Sequence, residues 1–224
     1  MVDFISGPRW FFGIDSLFET ISILVSFLIA VFVYRIYKLT GQKKYRNFSV
    51  AFLMISAGLS FKILSNFVVF YTEVEKSFYG LFTVTYIKDL DFINIIAFFF
   101  YRLLIVGAFI IILASLLKIK DKKMLGLLTI FAFIGVVIGH DTYFIFHLIL
   151  ALILGIITYH YHENYKLKKS NNSLLVMLAF LFIFLSQIIF IFLIFADDLY
   201  AVGESLMLFG FLLLLAAYIN ILRK

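Results

Sequence analysis

The chain predicts an all-α membrane protein, a seven-transmembrane helical bundle with its N-terminus outside and its C-terminus in the cytoplasm. Three observations carry this. Of 224 residues, 64% are apolar and 14% charged, at a mean hydropathy of +1.11, far too little polar surface for a soluble domain of this length. The apolar residues gather into long runs, and a helix rising about 1.5 Å per residue needs about 20 of them to cross hydrocarbon. The charges between the runs are sorted by sign from one gap to the next.

Taken in order, the runs give spans at about 16–37, 48–70, 92–117, 123–139, 142–162, 173–195 and 203–222, in one domain over 1–224. A single proline and 30 phenylalanines suit long helices facing lipid. The roughly 10-residue alternating segments of transmembrane strands do not occur. The N-terminus, "MVDFISGPRWFFGID", has no basic region leading into an apolar run with a cleavage site, so the first helix is expected to act as its own insertion signal.

Helix 4, "KMLGLLTIFAFIGVVIG", is the shortest and is joined to helix 5 only by "HDT", which demands a tight antiparallel hairpin. Gly135 and Gly139 form a GxxxG there, read as a packing feature that lets a neighbour approach. Between helices 2 and 3 lies "TEVEKSFYGLFTVTYIKDLD", predicted as one long external loop. Its "FTVTY" reads as a short strand and its "SFYG" as a turn, and the segment is long enough to fold over the outer face.

Orientation follows from the charges. The segments after helices 1, 3, 5 and 7 carry 14 of the 19 basic residues, beginning with Arg35, Lys38, Lys43, Lys44 and Arg46. The opposite side carries Arg9, Lys76 and Lys88 and 11 of the 13 acids. By the positive-inside rule the basic side is cytoplasmic. The net charge of +6 is then a topology signal, and it gives no reason to expect nucleic acid. Tyr34, Tyr37 and Tyr45, with Tyr159, Tyr161 and Tyr165, flank the inner boundaries as interfacial aromatics do.

Residues 18–70 align without gaps to 143–195, setting Tyr34 on Tyr159, Asn47 on Asn172 and Lys62 on Gln187. Helices 3 and 7 superpose with a different offset, bringing Arg102 onto Glu204. Both units begin outside, so this is a candidate parallel repeat of three plus three helices with helix 4 as linker, an arrangement found in transporters.

Ionisable groups inside hydrocarbon cost at least about 2.5 kcal/mol each on insertion scales and face the bundle interior or water. Here they collect in the outer half: Glu19, Lys62, Asn66, Asn94, Arg102, His147, Gln187 and Glu204, from six of the seven helices. Below them almost nothing polar remains beyond small Ser, Thr and Gly. Lys62 either joins this layer or snorkels outward to Glu73 and the headgroups. Arg102 is too deep to snorkel and needs a partner, for which Glu19 and Glu204 are the candidates. Two cations beside two carboxylates predict an anionic or zwitterionic small ligand. His147, in "FIFHLIL", also suits a hydrogen-bonded packing role.

Catalytic and metal signatures are missing. No cysteine is present, which excludes disulfides and thiolate chemistry. His160 and His162 are two apart and point away from each other on a helix. His140 and His147 lie two turns apart, about 10 Å, too far to share an ion. No GxSxG, P-loop, HExxH or GxGxxG occurs. The membrane part of helix 7 has no lysine for a retinal Schiff base. The expectation is therefore a non-enzymatic protein with no cofactor and no metal.

The stretch "YRIYKLTGQKKYRNFSVAFLMISAGLSF" resembles a family of small archaeal seven-helix proteins without an established function, and is similar to the seven-helix sensor regions that precede some archaeal histidine kinases. The likeness covers helices 1 and 2, with "YRxYxLTG" at its centre, and carries no catalytic residue. It implies a multi-pass plasma-membrane protein that senses or scaffolds. The expected function is thus a sensor or small-ligand-binding module using the outer polar cluster. Its basic inner loops would meet anionic lipid headgroups or a membrane or cytoplasmic protein partner. The alternatives are a small transporter built on the three-helix repeat and a structural subunit of a membrane complex.

Overall fold

A backbone in hydrocarbon has no water to bond to, so it must satisfy every N–H and C=O internally, which a helix does within one segment. The computed structural model describes residues 8–11, 13–78, 84–119, 121–138 and 143–222. Among these, every regular element is helical: α1 Ile14–Thr40, α2 Lys43–Phe78, α3 Val84–Leu116, α4 Lys122–Ile138, α5 Tyr143–Lys168, α6 Asn171–Ile191 and α7 Leu199–Leu222, with 3₁₀ turns at Arg9–Phe11 and Phe192–Phe195. Six of the helices are long and apolar enough to cross a membrane, and α4, at 17 residues, is a shorter apolar helix.

The helices overrun the expected spans, because a charged residue ends the lipid-embedded part of a helix without ending the helix. The largest difference lies between α2 and α3. The expected external loop is mostly helix, since α2 continues to Phe78 and α3 begins at Val84. The expected strand at "FTVTY" is wrong for Val84, Thr85 and Tyr86, which are helical. Glu, Lys and the long apolar residues of these flanks continue a helix readily once it has started.

The turns from α1 to α2 and from α5 to α6 are short and chemically explicit. After Thr40 the chain reverses at Gly41, whose φ of 68° is the left-handed conformation that glycine adopts without a Cβ penalty. Its N–H donates to the Tyr37 carbonyl at 2.8 Å. At the turn from α5 to α6, Ser170 caps the next helix by accepting from the Ser173 N–H at 3.2 Å.

Each helix packs on its sequence neighbour, and α7 returns to α1 while α5 meets α3, so a ring closes. The neighbour order α1–α2–α3 recurs as α5–α6–α7. Helix α4 lies at the periphery against α3 and α5. It exposes Leu127, Ile130, Phe131, Ile134 and Val137 and buries Ala132 and Val136. It runs back along α3, with Phe99 and Phe133 rings 6.4 Å apart. Helix α5 then starts at the level of Tyr101, whose ring lies 5.7 Å from that of Phe146. Since Tyr101 is 15 residues before Leu116, α4 carries the chain back by about 22 Å. Ile149 of α5 covers Gly135, where a Cβ would collide with it. Gly139, His140 and Asp141 lie outside the described residues.

One apolar core runs through all seven helices, with Phe52, Ile29, Ile55, Ile112, Leu154, Ile157 and Ile183 fully buried. Tyr161 stacks on Phe180 at 4.8 Å, so this tyrosine and Tyr45 pack against the core, unlike the exposed Tyr34 and Tyr159. Of the six tyrosines expected at the interface, these two turn inward because their helices present that face to a neighbour.

A close approach of α6 and α7 gives a direct test. A Cβ on Gly210 would stand 2.6 Å from Ile183 Cγ1 and 2.9 Å from the Ala179 carbonyl oxygen, whereas one on Gly126 of α4 would meet nothing within 4 Å. Gly210→Ala should lower stability by about 1–3 kcal/mol through overpacking. Gly126→Ala should be neutral or stabilise by up to about 1 kcal/mol through helix propensity. Thermal midpoints in one detergent check the contrast.

Candidate functional site

On α1 the buried polar residues Asp15, Glu19, Ser22 and Ser26 recur at helical spacing, forming one stripe facing the bundle. On α2, Lys62, Ser65 and Asn66 share a face for the same reason, three and four residues apart. On α7, Tyr200 and Glu204 are four apart. These three faces meet inside the ring, at Lys62.

At their junction the Lys62 ammonium lies 2.9 Å from Glu19 Oε1 and also pairs with Glu204 Oε1. Lys62 is 7% exposed, Glu19 0% and Glu204 1%, so the triad is dry. Asn66 donates its amide to both Glu19 oxygens, at 3.0 and 3.1 Å. The rings of Tyr200 and Tyr101 stand 5.6 and 5.8 Å from Lys62 Nζ, offering their negative faces to the ammonium. Lys62 does not snorkel outward: it turns into the bundle, where two carboxylates are available.

The remaining candidates form separate groups in the same layer. His147 Nδ1 and Gln187 Oε1 are 2.8 Å apart, and Gln187 Nε2 donates to Ser186 Oγ at 3.1 Å. Ser65 donates to Asn94. Arg102 is buried, its guanidinium 4.3 Å from the Phe98 ring and 5.3 Å from that of Phe146. Among the described residues its expected ion pair with Glu19 or Glu204 does not form, and both acids pair with Lys62. Lys62 reaches them because its stem descends the face that α2 turns toward α1 and α7, while Arg102 lies against α5.

Sequence reasoning missed the aromatic part of the site. Tyr200 was legible as a residue one turn from Glu204, and Tyr101 is the neighbour of Arg102. Phe11 gave no signal. It is buried against Phe190, Leu193, Tyr200 and Ala201, edge-on to Phe18 at 5.6 Å and to Tyr200 at 6.1 Å. Next to it the Trp10 indole N–H donates to Asp198 at 3.2 Å. This strap, before α1, closes the aromatic cluster over Tyr200.

Below the layer, the polar contacts among described residues include serine hydroxyls spent on backbone carbonyls, Ser49 on Ala30 at 2.9 Å and Ser56 on Ile23 at 3.3 Å. They tie α2 to α1. His162 and His160 lie near the inner ends, with His162 Nδ1 3.4 Å from Met177 Sδ. Among the described residues no group of three metal-binding side chains converges.

Removing the ammonium should cost more than removing one carboxylate. Lys62→Met strands two buried acids and is expected to destabilise by about 3–5 kcal/mol. Glu204→Gln leaves Lys62 with Glu19 and should cost about 1 kcal/mol. Thermal unfolding of both variants in the same lipid nanodiscs checks the order, and an equal loss in the two would contradict it.

No protein-family model, no curated protein and no solved structure matches this chain.

Proposed function

We propose that this multi-pass membrane protein crosses the bilayer seven times, N-terminus outside and C-terminus in the cytoplasm, and acts as a non-enzymatic sensor or small-ligand-binding module through its outer polar layer. Supporting the seventh crossing is the course of α4, which packs on both α3 and α5, with Phe133 beside Phe99 and, after it, Phe146 of α5 beside Tyr101. Supporting the orientation are Lys43, Lys44, Lys166, Lys168 and Lys169, all at turns on one side. The same basic turns suit anionic headgroups of a plasma membrane or an acidic protein partner.

The observation that carries the sensor reading is the Glu19–Lys62–Glu204 junction. It joins the first and last helices through the second, so a change of charge there acts on the contact that closes the ring. The inner ends of α1 and α7 would deliver that change to the cytoplasmic side. The recurring neighbour order keeps the three-plus-three repeat in view. A transport path is less well supported, because the buried serines below the layer are bound to the backbone.

The absence of cysteine from the chain makes the test simple. Spin labels on cysteines placed at Leu39 and Ile221, both exposed near the inner ends of α1 and α7, report their separation. Altering the junction by Glu204→Gln should shift the distance distribution by about 1–2 Å or more. An unchanged distribution would count against sensing, and uptake of labelled amino acids into liposomes, abolished by Lys62→Met, would favour transport instead.

Labelling from the two sides tests the topology. Single cysteines at Gln42 and Ser170 should react with an impermeant maleimide only from the cytoplasmic side, and one at Asp197 only from outside. Reaction of all three from one side would contradict seven crossings.

A further inference from the structure

Within ion-pair reach of Lys62 Nζ stand one ammonium and two carboxylates, a formal sum of −1. Among the described residues, no second cation from the neighbouring helices comes within ion-pair reach of either acid. From α1 comes Asp15, another acid, bound to the N–H groups of Gly13 and Ser16 at 2.9 and 2.7 Å. From α2 come Asn66 and Ser65, from α7 Tyr200, and from α5 and α6 the His147–Gln187 pair. From α3 come Tyr101, Asn94 and Arg102, and Arg102 forms no ion pair with either acid of the triad. An uncompensated charge buried to this degree in an apolar bundle is strongly disfavoured.

One added positive charge removes the imbalance. The residues limit what it can be. Glu19 and Glu204 are 0% and 1% exposed, and Asn66 already donates to both oxygens of Glu19, so a hydrated metal ion has no place. A proton occupies almost no volume, and either of two buried carboxylates drawn to one ammonium can take it. We propose that the triad is a proton-binding site, in which Glu19 and Glu204 together hold one exchangeable proton taken from and returned to water. This rests on the sensor reading and names its ligand class. The ligand is cationic, unlike the anionic or zwitterionic molecule that the sequence suggested, because Lys62 is committed to the two acids and is not free to hold an anion. With the proton bound the junction of α1, α2 and α7 is neutral; without it, the junction carries the buried negative charge.

The test uses the full chain in lipid nanodiscs, followed by infrared spectroscopy for the C=O stretch of a protonated carboxyl and by thermal midpoint between about pH 5 and pH 9. If the folded state holds one proton more than the unfolded chain, stability is present at low pH and lost as pH rises. Wild type should show the band, sensitive to deuterium, with a midpoint falling by about 5 °C over the range. Glu19→Gln and Glu204→Gln should each remove the band and flatten the profile. His160→Asn, at the far end of α5 and outside the layer, should leave both in place. Should a Gln variant not fold, the wild-type band decides by itself. A wild type without the band, a band surviving in both Gln variants, or a midpoint that follows sodium at fixed pH would each overturn the proposal. A band with no movement between labels at Leu39 and Ile221 across the same pH range would leave the proton site standing and sink sensing, and the converse would sink the site alone.

Discussion

The ammonium of Lys62, held between the carboxylates of Glu19 and Glu204, is the interaction on which the closed ring depends. Helices in a membrane gain little hydrophobic energy by associating, because lipid tails are as apolar as leucine. What orders them is close packing together with the few polar groups that have no other acceptable partner. Here one lysine from α2 meets one acid from the first helix and one from the last. The helices farthest apart in sequence are thus joined by the group that costs most to leave alone.

The surroundings of the triad follow from the same constraint. Asn66 fills the acceptor capacity of Glu19, the rings of Tyr101 and Tyr200 face the ammonium, and Phe11 closes the cluster over Tyr200. Water is excluded, so each interaction is stronger than it would be in solvent and the cost of any change of charge is higher. That combination makes the contact of α1 with α7 depend on the charges at the junction. Deeper in the bundle, the serine contacts between α1 and α2 use backbone carbonyls on neighbouring turns. They fix helix separation without adding a charge. The polar chemistry is therefore concentrated in one layer, with close-packed apolar residues beneath it.

The helical class, the position of the apolar runs and the identity of the buried polar residues were all legible in the residues themselves. Hydrocarbon imposes a length and forbids unsatisfied backbone, and these demands act on one segment at a time. Glu19, Lys62, Asn94, Arg102, His147, Gln187 and Glu204 are buried, and Asn66 half-buried. Helix ends were less legible. Polarity marks where lipid stops, while the helical hydrogen-bond ladder continues through Glu and Lys, as at Thr72–Phe78 and Val84–Asp91.

What only the tertiary structure decided is pairing. The sequence offered two cations and two acids at similar depth, with Arg102 the expected partner of the acids. Depth along a helix follows from counting residues, but the direction a side chain faces depends on how each helix is rotated within the ring. Rotation is settled by packing across the whole bundle: Gly210 against Ile183, Gly135 against Ile149, and Phe11 against Tyr200. That packing turned Lys62 toward α1 and α7 and Arg102 toward Phe98 and Phe146. The composition determined that charges would be buried in this protein. The rotation of its helices determined that two acids would share one lysine.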